Sequence, residues 1–160
     1  LNNKSKKANY FLSNSMKTIV LSIDQKNDSY GDRDLYVSFM VSDSVWSKPL
    51  NLGKQINTIG TEEGPFLASD NRSLYFSSDG LGGYGGTDIY VTRRLDETWQ
   101  KWSEPENLGP VVNGSFDESF FSLSASGKKV FYTSTGDQEG DFDIRTISLA
   151  PMLRDRKSVV

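Results

Sequence analysis

The chain has 160 residues, 36% hydrophobic, 12% aromatic and 24% charged, with a net charge of −3 and neither Cys nor His. An acidic balance lacks the clustered Lys and Arg that phosphate neutralisation requires, so nucleic acid is excluded as the main partner. The missing Cys and His exclude disulfides, thiolate metal sites and Ser-His-Asp or Cys-His catalysis within these residues.

No run approaches the roughly 18 apolar residues of a membrane-crossing helix, so no span is expected. The chain begins at Leu1 and is expected to be a segment of a longer protein, so location in the cell is not legible in it directly. Residues 1–9 (LNNKSKKAN) are polar and basic and align with residues 56–64 and 112–119. Tyr10 to Ser13 reads as a short strand, Asn14 to Lys17 as a turn, Thr18 to Ile23 as a second strand and Arg33 to Val41 as a third. Asn27, Asp28 and Gly31 are turn formers between them. Val45, Trp46, Leu50 and Leu52 are interrupted by Pro49, which lacks a donor and suits a short outer strand.

The same order follows twice more. Phe66 to Ser69, Ser73 to Ser78, Thr87 to Arg94 and the stretch around Trp102 to Leu108 form a second set. Phe120 to Leu123, Lys129 to Ser134 and Phe142 to Leu149 form a third. In YFSSDGLGGYGGTDIYV (75–91) two runs rich in β-branched and aromatic residues flank a glycine loop, which predicts a hairpin. Helical periodicity is absent throughout.

These sets are copies of one unit. Asp34, Asp88 and Asp143 are separated by 54 and 55 residues, and WSKPLNLG (46–53) matches WSEPENLG (102–109) at an offset of 56. Asn2, Asn57 and Asn113 keep the same spacing, as do Phe11, Phe66 and Phe121. Glu63 and Glu118 align with one another and with Ala8. Four short strands per unit, tight loops and no helix predict an all-β chain, a β-propeller of four-stranded antiparallel blades of which about three are present. The units are 1–55, 56–111 and 112–149, with 150–160 expected to be a linker to a following domain.

LYFSSDGLGGYGGTDIYV (74–91), WSEPENLGPVVN (102–113) and the turns ASDNRS and SASGKK resemble the WD40-like β-propeller repeat of the TolB type, especially the form found in OmpA-like outer-membrane lipoproteins of Bacteroidetes. Ser69-Asp70-Asn71 stands where that repeat has Pro-Asp-Gly, and Asp143-Ile144-Arg145 replaces Asp-Ile-Tyr. Residues 147–160 resemble the exit from a last blade toward a small β-domain and a peptidoglycan-binding OmpA domain. The resemblance implies a periplasmic or outer-membrane scaffold, including the type that supports gliding and type IX secretion. Its partners would be other envelope proteins, with peptidoglycan reached through a domain outside these residues.

The recurring polar residues point to framework. The pairs Glu62 with Glu63 and Asp117 with Glu118 have the chemistry of glycoside hydrolysis, yet both recur at the repeat period and strand neighbours point to opposite faces. Asp34, Asp88 and Asp143, with Asp32, Asp79 and Asp141 nearby, invite a calcium reading. The competing reading, which we adopt, has each carboxylate accepting backbone N–H groups of its own loop. The Gly80–Gly86 loop leads into a strand and lacks the helix N-terminus of a phosphate cradle. Trp46 and Trp102 are expected to pack between blades. Tyr30, Tyr84 and Asp79 at loop tips are the candidate binding residues. No catalytic residue, metal or cofactor is assigned. The expected function is a non-catalytic interaction scaffold; the alternatives are a carbohydrate-binding or glycosidase propeller and the accessory propeller of a serine peptidase.

Overall fold

The computed structural model describes residues 6–136 and 141–149, and every regular element among them is a β-strand. The expected linker at 150–160 lies outside the described residues. In the first unit β1 (Asn9–Leu12), β2 (Thr18–Ile23) and β3 (Asp34–Ser42) form an antiparallel meander. The short β4 (Val45–Trp46) and β5 (Leu50–Asn51) both pair with β3. The second sheet runs β6 (Glu62–Leu67), β7 (Ser73–Ser78), β8 (Asp88–Arg93) and β9 (Glu106–Asn107); the third runs β10 (Glu118–Leu123), β11 (Lys129–Thr135) and β12 (Phe142–Ser148).

The first two strands of every sheet are closed by one turn. Ser13, Ala68 and Ser124 donate their amides to the carbonyls of Thr18, Ser73 and Lys129 at 2.8–2.9 Å. In the second unit Asp70 fixes the turn further, accepting from the amides of Arg72 and Ser73 and from the Ser73 hydroxyl. Met16, Asn71 and Gly127 hold the left-handed position in the three turns. Asn and Gly suit that conformation; Met does not.

β6 and β10 begin earlier than the sequence predicts, at Glu62 and Glu118. β6 continues across Gly64-Pro65 through a bulge between Glu63 and Phe66, and β10 bulges between Ser119 and Ser122. Gly64 and Phe120 occupy the bulges with φ of 57° and 58°. A bulge absorbs the extra residue without ending the pairing.

Packing runs from sheet to sheet. Leu35 and Val37 of β3 bury themselves with Leu74, Phe76 and Tyr90 of the second sheet. Ile89 of β8 is buried with Phe121, Val130 and Tyr132 of the third. Each fully buried Leu, Ile or Phe contributes roughly 1.5–3 kcal/mol. The first strands lie side by side, and Phe11, Phe66 and Phe121 form a row with centroid separations of 4.9 and 5.9 Å. These three are not equally covered: Phe121 is buried, stacked on Tyr75 at 4.2 Å, whereas Phe11 and Phe66 are half-buried.

Candidate functional site

The two junctions between units are built from the same side chains. Asp34 and Asp88 open β3 and β8 and are buried there. Asp34 accepts from the amides of Tyr30 and Gly31 at 2.7 and 3.2 Å and from Asn51 Nδ2 at 3.0 Å. Asp88 accepts from Tyr84 and Gly85 at 2.6 and 3.0 Å and from Asn107 Nδ2 at 2.8 Å. Buried carboxylates so surrounded have their oxygens satisfied by donors of the protein in place of water. Among the described residues no group of three His, Cys, Asp or Glu is placed to hold a metal ion.

A second Asn completes each clamp. Asn57 accepts from the Leu35 amide at 2.8 Å, donates to the Leu35 carbonyl at 3.0 Å, and gives a further bond to Asn51 Oδ1. Asn113 repeats all three contacts on Ile89 and Asn107. These asparagines carry the joint, and the sequence analysis assigned them no role. Their recurrence at 51 and 107, and at 57 and 113, was the available signal.

The following strand supplies a buried glutamate. Glu62 accepts from the Thr58 amide and hydroxyl and from Ser78 Oγ. Glu118 accepts from the Gly114 amide and Ser134 Oγ. The equivalent of Glu118 is therefore Glu62, which corrects the alignment of Glu63 with Glu118. Glu63 stands instead where Ser119 does, and joins all three units. It accepts from Arg33 Nη2 at 2.6 Å and from Ser119 Oγ at 3.2 Å. Burial pushes the Glu62 carboxyl above its ordinary value despite donors from Thr58 and Ser78, and Asp34 adds to the rise.

The candidate binding residues divide. Tyr30 and Tyr84 have exposed side chains, 51% and 54%, but their backbones are held by Asp34 and Asp88. The loops they sit on press against the next unit: a Cβ on Gly31 would overlap the Gly60 carbonyl, and one on Gly85 that of Phe116. The Tyr-Gly loops are thus part of the joint, not freely variable tips. Asp79 is exposed, but its Oδ1 accepts from the Thr61 amide at 2.7 Å, tying the end of β7 to the entry of β6. That is a framework contact.

Asp143 holds the register of Asp88, opposite Ser134 as Asp88 is opposite Ser78, but is exposed. Trp46 and Trp102 also share a register, opposite Met40 and Arg94. They are covered unequally. Trp102 is buried against Trp99, to whose carbonyl its Nε1 donates at 2.8 Å, while Trp46 is half-buried on a two-residue strand. Trp99 is the tie that sequence reading missed. It packs edge-on against Phe39 of the first unit and lies under the Arg94 guanidinium.

Comparison with models of protein families finds none that matches the chain, and comparison with curated proteins finds no match.

Proposed function

We propose that the three sheets are successive blades of a WD40-like, TolB-type β-propeller and that this module is a non-catalytic protein-interaction scaffold of the bacterial cell envelope. On this reading it belongs to a larger OmpA-like protein of the periplasm or outer membrane, which reaches peptidoglycan through another domain. The observation that carries the reading is the duplicated joint. The distinctive buried carboxylates, Asp34, Asp88, Glu62 and Glu118, accept bonds from their own loops and strands at both junctions. Side chains so engaged build a rigid frame, and recognition falls to what the frame holds outward. Tyr30 and Tyr84 are displayed in that manner, each on a loop whose backbone is clamped.

The test uses the full-length protein in cells, with a photo-crosslinking residue at position 30 or 84 and, for comparison, at the exposed Val41. Envelope proteins captured from 30 and 84 but not from 41, and lost in Tyr30→Ala and Tyr84→Ala, are the expected result. Turnover of a glycan or peptide by the module, or a cytoplasmic location, would overturn the reading.

A further inference from the structure

The two joints differ at one position of chemical consequence. In the first, Asn57 is followed by Thr58, whose amide and hydroxyl donate to Glu62 at 2.9 and 2.7 Å. In the second, Asn113 is followed by Gly114, whose amide donates to Glu118 Oε2 at 2.8 Å. This is the one Asn-Gly step in the sequence. The fold does not require glycine there: Gly114 lies outside the left-handed region, and a Cβ on it would meet nothing closer than Glu118 Oε1, at an ordinary 3.5 Å.

An Asn-Gly step is open to loss of the side-chain amide, because no side chain on the glycine hinders its backbone nitrogen. That nitrogen, having given its proton to hydroxide, attacks Asn113 Cγ; the bond from Cγ to Nδ2 breaks, and ammonia leaves with a proton from water. A cyclic succinimide remains. Water then adds to either of its carbonyls, leaving aspartate or isoaspartate at 113.

In the closed joint both reacting groups are engaged. Asn113 is 1% exposed, its side chain holds the Ile89 amide, the Ile89 carbonyl and Asn107 Oδ1 at 2.8–2.9 Å, and its own amide donates to the Gly109 carbonyl at 2.9 Å. The Gly114 N–H faces the Glu118 carboxylate, whose charge opposes the anion that must form on nitrogen. Once made, aspartate does not rebuild the clamp. It still accepts from the Ile89 amide but has no Nδ2 to donate, so the Ile89 carbonyl and Asn107 Oδ1 each face another acceptor. Isoaspartate also lengthens the backbone by one carbon.

We propose that the Asn113-Gly114 step is a latent modification site, a one-way covalent switch that the second joint holds closed. Local opening of the joint lets Gly114 attack Asn113, and the product keeps the joint open. The proposal is independent of the scaffold reading, since it rests on the joint and on no partner.

The experiment incubates the 160-residue chain in mildly alkaline buffer across a urea series and follows conversion at 113 by peptide mapping and mass spectrometry. Conversion in the folded chain should be at least about tenfold slower than in the unfolded chain, and flat in urea below the global transition, because local opening exposes little surface. Equal rates in the two states would overturn the proposal, as would conversion that rises in step with the globally unfolded fraction. Asn107→Ala removes one bond from Asn113 and should speed folded-state conversion roughly three- to tenfold; an unchanged rate would show that the clamp does not hold the site. Gly114→Thr copies the first joint and should keep the fold, checked by circular dichroism, while suppressing conversion in both states; a variant that fails to fold would show that the glycine serves structure alone. Converted wild-type chains should exchange the Ile89 amide faster than unconverted ones. Equal protection there would overturn the switch.

Discussion

Asn107 donates to the Asp88 carboxylate across 19 residues of chain, and Asn51 makes the same bond to Asp34 across 17. The loop lengths differ, yet the bond is kept. The longer loop of the second unit contains Trp99, which turns back at φ 63° onto Phe39 and leaves the clamp undisturbed. The clamp, more than the loop that spans it, sets how a third strand meets its outer strand and its neighbouring unit.

Removing the carboxylate should therefore cost more than neutralising it. Asp88→Ala strands three donors, on Tyr84, Gly85 and Asn107, and should lower stability by about 3 kcal/mol or more. Asp88→Asn keeps one acceptor oxygen and should cost less, about 1–2 kcal/mol. Urea denaturation of both variants checks the order. Calcium should leave the wild-type melting temperature unchanged; a large rise lost in either variant would point to a cation site.

Gly85 and Gly82 lie in one loop but answer to different constraints. A Cβ on Gly85 meets backbone of Gly114 and Phe116 in the next unit, so Gly85→Ala should force the joint apart at a cost on the order of 3 kcal/mol. At Gly82 nothing lies within 4 Å, and only the φ of 73° resists a side chain, so Gly82→Ala should cost about 1 kcal/mol. Equal costs would show that the loop does not bear on the following unit.

Glu62 predicts a specific pH dependence. Its folded carboxyl is raised by burial, so the protonated form suits the fold better than the charged one. Its contribution is fully present below the ordinary glutamate range and is lost as pH rises through the folded value. Glu62→Gln should thus gain stability relative to wild type as pH is raised from about 4 to about 7. Glu62→Ala should be less stable than both throughout, since Thr58 and Ser78 lose their acceptor. Denaturation curves across that range distinguish the three proteins.

Tyr36 and Tyr90 occupy matching places but differ at the hydroxyl. Tyr36 donates to the Asp28 carbonyl at 2.7 Å, and burial pushes its phenol up to about 12. The Tyr90 hydroxyl is buried beside Asn107 and, among the described residues, makes no hydrogen bond of standard geometry, having no carbonyl placed as that of Asp28 is for Tyr36. Tyr90→Phe should be neutral or stabilising, while Tyr36→Phe should cost about 1 kcal/mol. Thermal melts of the pair decide it.

Much of the architecture was legible before any coordinates. The strands of all three units were read from their β-branched and aromatic runs, and the repeat from the spacing of Asp34, Asp88 and Asp143. The hairpin strands β7 and β8 fall where the glycine loop of 75–91 places them. The sequence predicts β6 and β10 only from Phe66 and Phe120 onward, because each bulge interrupts the local alternation and only pairing to β7 and β11 carries the strand through it. Glu62 and Glu63 are adjacent and chemically alike, and a one-residue choice between them sends the side chain to the opposite face.

What the amino-acid sequence determined by itself is the repeated unit, its all-β character and the polar residues that recur with it, because periodicity and turn chemistry are local properties of the chain. What only tertiary structure decided is the work each recurring residue does. Asp88 is buried and Asp143 exposed although their registers agree, and Trp102 is buried while Trp46 is half-covered. Burial and partners come from the neighbouring sheet, which the second unit has on both sides, and from segments such as 107–113 that fold back onto a strand many residues away. No local pattern encodes those neighbours.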